Sequence, residues 1–204
     1  AAKIAGASPR GFLRTAETIM KFKQMGGQPP ALFKYFLVLL EKGPLNAQET
    51  LELADPVIKQ NKIQLLEKYI AEDKLAVSEE FGDMLMPVNI DMALSIYLKA
   101  QSSEKVIRCF MQKGEFDKIV EYATRVGYRV DYSAMLQQLV QMNPTGAVEF
   151  AKKLVTNESG QQLIDANTVT DVFLGMNLLR EATSFLLDAL KSNRKEEGFL
   201  QTRV

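Results

Sequence analysis

One stretch restricts the folds open to this chain more than any other: Asp91 to Tyr128, DMALSIYLKAQSSEKVIRCFMQKGEFDKIVEYATRVGY. Its apolar residues fall in three bursts, Ala93/Leu94/Tyr97, Val106/Ile107/Phe110 and Phe116/Ile119/Val120/Ala123. Each burst has the spacing that places side chains on one face of a helix. Only short polar breaks separate them, Gln101 to Ser103 and Lys113 to Glu115. Three short helices joined this tightly are expected to fold back on one another as antiparallel neighbours, which is the unit of a helical repeat.

The same pattern continues on both sides. Ser8-Pro9 is a helix start, with Thr15 able to cap again before AETIMKFKQM, and MGGQPP (Met25 to Pro30) then breaks the chain. ALFKYFLVLL (Ala31 to Leu40) predicts a helix buried on most sides; at about half the roughly 20 residues that span a bilayer, and with Lys34 inside it, it is no membrane helix. Asn46 and Glu49 form a capping box for NAQETLELADPVIKQ, in which Pro56 is expected to kink the helix or divide it near Ala54. NKIQLLEKYIAED turns Ile63, Leu66 and Ile70 inward, and Ser78 starts a short helix ending near Pro87. Asp131 caps DYSAMLQQLVQM, Asn143-Pro144 starts another helix, and two more come after the long polar connection Asn157 to Ala166. The formal glycosylation sequon Asn157-Glu158-Ser159 lies there, and nothing else suggests secretion.

No period-two alternation lasts for the length of a strand, so the chain is expected to be all-α. From Asp91 onward helix starts come about 12 to 14 residues apart, a two-helix unit recurring within the range of stacked helical repeats. A small residue followed by an aromatic recurs in these helices, Ala93 then Tyr97, Ala147 then Phe150, Ala182 then Phe185. The small residue lets a neighbouring helix approach while the ring fills the space between. The predicted fold is an α-solenoid of stacked antiparallel short helices, and its order predicts an elongated monomer. The terminal strings AAKIAG and FLQTRV look like a helix tail and the approach to a further helix, which predicts a stretch of a longer polypeptide.

Chemistry is sparse. There is no histidine among the 204 residues, which removes the commonest general base, the commonest zinc ligand and every Ser-His or Cys-His nucleophile pair. The single cysteine, Cys109, sits in apolar VIRCFM and is expected to be a buried core thiol in a reducing, cytosolic setting. Carboxylates such as Glu79/Asp83 and Asp117/Glu121 share helix faces, but lysines and arginines lie near each in sequence, so solvated charged faces are the expectation rather than a paired-acid or metal site. Gly26-Gly27 precedes prolines instead of a phosphate-binding helix. Arg10, Arg14, Lys21 and Lys23 make the opening locally basic, either a patch for an acidic partner or an ordinary solvated helix face. Lysine plus arginine equal aspartate plus glutamate at 25 each, and basic residues do not interleave with aromatics, so neither nucleic acid nor an anionic membrane is indicated. No enzyme activity, cofactor or metal is expected, and a protein is the expected partner.

Several long strings carry a family resemblance: LLEKYIAEDKL, SEEFGDM, ALSIYLKA, KVIRCF, KIVEYATRVGY and FLLDALKSNRKEEGFLQTRV. In order, and nearly without interruption from Ser8 to Val204, the chain resembles the clathrin heavy chain in the segment that comes after its N-terminal β-propeller. The connections Met25 to Pro30 and Asn157 to Asn167 depart from the family pattern, at places where loops tolerate change. The resemblance implies a piece of a long α-solenoid leg, three of which join into a triskelion that polymerises into the lattice of coated pits and vesicles on their cytoplasmic face. Residues 1–90 would be a linker-type helical zigzag and 91–204 the start of the distal leg, continuous with it. Its partners would be other heavy-chain legs, with adaptor and uncoating proteins in addition; light chains would bind only parts absent here. The resemblance also implies a stretch associated with the uncoating chaperone, Leu51 to Tyr69, with Leu51, Asp55, Lys59, Lys62, Glu67 and Lys68 as candidate residues. The alternative reading is a peptide-binding α-solenoid, an adaptor or co-chaperone scaffold whose groove takes short acidic or apolar motifs on a basic, methionine-rich side; the chain has nine methionines.

Overall fold

Several helix starts in this chain are set by small polar residues whose side chains accept the first free backbone N–H groups. The computed structural model describes residues 1–8, 11–25, 30–155 and 162–189, and among them lie thirteen α-helices and no strand. The first are α1 (Ala2–Gly6), α2 (Ala16–Gln24), α3 (Ala31–Lys42), α4 (Ala47–Lys59), α5 (Ile63–Ala71), α6 (Glu79–Leu85) and α7 (Ile90–Lys99). After them come α8 (Ser103–Lys113), α9 (Phe116–Val126), α10 (Tyr132–Met142), α11 (Pro144–Val155), α12 (Ala166–Gly175) and α13 (Leu179–Ala189). Thr15 accepts the Thr18 N–H at the head of α2, Ser78 the Phe81 N–H at α6, and Asp131 the Ala134 N–H at α10. Asn46 and Glu49 form the reciprocal capping box at α4. The Pro9 start, the Met25–Pro30 break in its central residues, the sequon at Asn157 and the chain after Ala189 lie outside the described residues.

Six of the thirteen described helices end with one device. At Asn61, Asp73, Gln101, Gly114, Gly127 and Asn177 the backbone enters the left-handed region, with φ between 50° and 70°. In each case that residue's N–H donates to the carbonyl three residues back, and the next N–H donates to the carbonyl five residues before it: Asn61 to Ile58 and Lys62 to Val57, Gln101 to Leu98 and Ser102 to Tyr97, Gly114 to Met111 and Glu115 to Phe110. The pair of bonds satisfies carbonyls that a helix end leaves free and turns the chain sharply. After four of these stops the next helix begins two residues on, at Ile63, Ser103, Phe116 and Leu179.

Helices so joined pack on their neighbours and on the next helix but one. The chain divides into two compact units, Ala1–Cys109 and Phe110–Val204, the division falling within α8. In the first unit α4 packs on α6 and α6 on α7; in the second α10 packs on α11 and α12, and α13 on α11 and α12. This layered, sequence-local order is that of an α-solenoid. Ala93, Tyr97, Val106, Ile107, Phe110, Phe116, Ile119 and Ala123 are buried as expected from their spacing, and so are Ala147, Phe150, Ala182 and Phe185. Cys109 is fully buried, its sulfur 3.6 Å from that of Met86.

Pro56 does not divide α4, which runs unbroken from Ala47 to Lys59. Pro56 removes one N–H bond and crowds the Glu52 carbonyl, but the buried Leu53, Ala54 and Val57 hold both halves against the core. The helix Ala31–Lys42 is also less enclosed than its composition suggests. Leu32, Tyr35, Phe36, Leu39 and Leu40 are buried, but Leu37 is 55% exposed.

Two details fix α6 against α7 and the first turn of α8. Gly82 on α6 lies under the Tyr97 ring, so a Cβ there would stand 2.3 Å from Tyr97 Cε1. The Tyr97 hydroxyl donates to Asp83 at 2.7 Å, and Lys105 donates to the same carboxylate at 2.7 Å and reaches Glu79 at 3.3 Å. Gly82→Ala should therefore force α6 from α7 and lower stability by about 1–3 kcal/mol in urea denaturation, as overpacked cores do.

The hydrogen bond from Lys105, then that from Tyr97, holds the Asp83 carboxyl below the usual carboxylate range, and Ser102 together with Lys105 does the same to Glu79. Carboxyls depressed on folding stabilise above their unfolded pKa of about 4 and lose that contribution as pH falls through the folded values. Replacing Lys105 by Met should thus make the denaturation midpoint fall less steeply below about pH 4.

Candidate interaction surface

The predicted stretch Leu51 to Tyr69 covers most of α4, the left-handed turn at Asn61 and the first two turns of α5. What positions α4 is a buried charge. Glu49 is fully buried and takes four donors: Arg14 through Nε at 2.9 Å and through a shorter contact from Nη2, the Asn46 N–H at 3.0 Å and the Tyr35 hydroxyl at 3.3 Å. Arg14 Nη2 also donates to the Pro44 carbonyl at 2.8 Å. Glu49 pushes the guanidinium pKa up, and burial, reinforced by Glu49, pushes the Tyr35 phenol to about 12. One carboxylate thus ties the segment before α2, the body of α3 and the cap of α4 together.

The candidate residues themselves are distributed over both helices and the turn. Asp55, Lys59, Lys62, Glu67 and Lys68 are exposed and Leu51 is half-buried. Lys59 pairs with Asp55 one turn away at 2.8 Å, and Lys68 lies 3.9 Å from Glu72. Lys62, in the turn, has no ion-pair partner among the described residues. The feature that charge-based reading missed is an apolar groove beside this stretch, of about 380 Å³, walled by Phe33 and Leu37 of α3, Val57 of α4, and Leu65 and Tyr69 of α5. Among the candidates only Lys62 reaches its lining, and no methionine does. No sequence signal marks it, because Leu37 reads as one more apolar residue of the run 31–40.

Other candidate chemistry resolves into structure. In the basic opening, Arg14 turns inward to Glu49, Lys21 pairs with Glu17 and Lys23 with Glu52; Arg10 lies outside the described residues. Three of the four paired acids find cations on other helices rather than nearby in sequence, Glu79 and Asp83 at Lys105, and Asp117 at Lys153. Among the described residues no three acidic, cysteine or histidine side chains group as metal ligands, and no helix is long and apolar enough to cross a membrane.

The family model for Clathrin-H-link matches residues 1–39. Over its full length the chain is 50% identical to clathrin heavy chain 1 of Oryza sativa subsp. japonica and 45% identical to the clathrin heavy chain of Drosophila melanogaster. It is 44% identical, over 99% of its length, to clathrin heavy chain 2 of Homo sapiens. The chain belongs to the clathrin heavy-chain family. It spans about 12% of the length of each of these relatives.

Within this clathrin heavy-chain segment the two kinds of charge differ in worth. Arg14→Ala strands a buried carboxylate and should cost about 3 kcal/mol in chemical denaturation, the lower end for a broken buried pair because Arg14 is itself partly exposed. Lys59→Ala removes an exposed pair and should change stability by less than about 0.5 kcal/mol.

Proposed function

We propose that this segment serves as a structural spacer in the leg of a clathrin heavy chain, within a triskelion whose polymer coats pits and vesicles on their cytoplasmic side during endocytosis and intracellular transport. The observation that carries the reading is similarity of 43–50% identity to heavy chains from plants, animals and other eukaryotes, over the whole or nearly the whole chain. Its helices pack mainly on near neighbours in sequence, so bending is shared among many small inter-helix adjustments, which suits a semi-rigid strut. Work of this kind needs no reacting group: function lies in packing and reach.

In this reading residues 1–90 form the linker-type zigzag and 91–204 the beginning of the distal leg. Other heavy-chain legs are the principal partners, through weak contacts repeated many times over the lattice. Adaptor proteins and the uncoating chaperone are further partners, the latter at the stretch holding Leu51, Asp55, Lys59, Lys62, Glu67 and Lys68. The exposure of five of these side chains supports access to them.

A segment exchange tests the spacer role. The Dictyostelium discoideum heavy chain is 45% identical over the matching region. Carrying this segment in place of its own, it should assemble into cages of ordinary diameter in electron micrographs, whereas the same heavy chain with the segment deleted should not. A folded exchange chain that fails to form cages, or a deletion that assembles normally, would sink the reading.

A further inference from the structure

The groove between α3, α4 and α5 is unused by the coat reading. Its walls are aromatic and aliphatic, and Leu37 stands 55% exposed along them. Leu37 makes the wall an open apolar surface beside a concavity, the arrangement typical of ligand clefts. At about 380 Å³ it has room for a few large side chains and no more. Among the described residues the only charge in the lining is the Lys62 ammonium, which has no ion-pair partner there, and no carboxylate lines the groove.

We propose that this groove docks a short amphipathic helix of a partner protein, apolar on the face that enters and acidic beside it, with a carboxylate meeting Lys62. The charge of the lining selects an acidic occupant over a basic one. The walls are helices, which offer no strand edge to pair with an extended peptide, so an occupant that satisfies its own backbone is favoured. Leucines one turn apart on such a helix enter between Leu37 and Leu65 above Val57.

The chain contains no tryptophan, which makes the test direct. The probe is a synthetic helical peptide with leucines at three- and four-residue spacing flanked by glutamates, and its control carries lysines in place of the glutamates. Titrated into the 204-residue chain, the fluorescein-labelled acidic peptide should give saturable anisotropy, and it should shift the emission of a Leu37→Trp variant to the blue. Lys62→Glu should weaken binding about five-fold, as reversal of a rim charge does. Leu37→Glu, at an exposed position, should weaken it about ten-fold or more by placing a carboxylate against the apolar contact, with thermal melting by circular dichroism unchanged in both variants. Absence of saturation at millimolar peptide, equal binding of the lysine control, or affinity indifferent to both substitutions would overturn the proposal.

Discussion

The physical device on which the packing of this chain most depends is the left-handed stop that ends six of its thirteen described helices. Two backbone bonds, one from the residue at positive φ and one from the residue after it, satisfy free carbonyls and reverse the chain within a few residues. Helices of about ten residues are marginal alone in water, and they persist only if each finds a partner for its apolar face at once. The stop supplies that partner from the adjacent sequence. It recurs at six positions in the described residues, which is why packing runs between near neighbours throughout.

Charge completes the arrangement at two levels. At Glu49 a buried carboxylate is fully satisfied by Arg14, Tyr35 and the Asn46 backbone, and so ties three elements that apolar packing alone would leave free to slide. On the surface, Lys105 gathers Glu79 and Asp83, and Lys153 reaches Asp117, each across helices. Such pairs are individually weak, yet they absorb the acid clusters that in another fold would suggest catalysis or metal binding. Against these paired charges, an apolar groove whose one ammonium lacks an ion-pair partner among the described residues stands out.

A stack of helices built this way has a mechanical logic. When contacts are local, strain at one place is not transmitted rigidly to distant ones, and curvature can change without any single interface failing. Similarity to heavy chains extends over the full length of the chain, at 45–50% identity to those of Oryza sativa and Drosophila melanogaster.

Sequence alone determined the helices, their order and most of the core, because apolar residues at helical spacing and capping side chains such as Thr15, Asn46, Ser78 and Asp131 act within a few residues of themselves. The stops at Gly114 and Gly127 were legible for the same local reason, since glycine enters the left-handed region without a Cβ penalty. Those at Asn61, Asp73, Gln101 and Asn177 were less so, because polar residues adopt that region only when the surrounding bonds hold them there. The continuity of α4 through Pro56, the need for glycine at position 82, the inward turn of Arg14 and the open face at Leu37 were decided only in the tertiary structure. Each depends on which helix arrives opposite a side chain, and spacing along one helix carries no information about its neighbour.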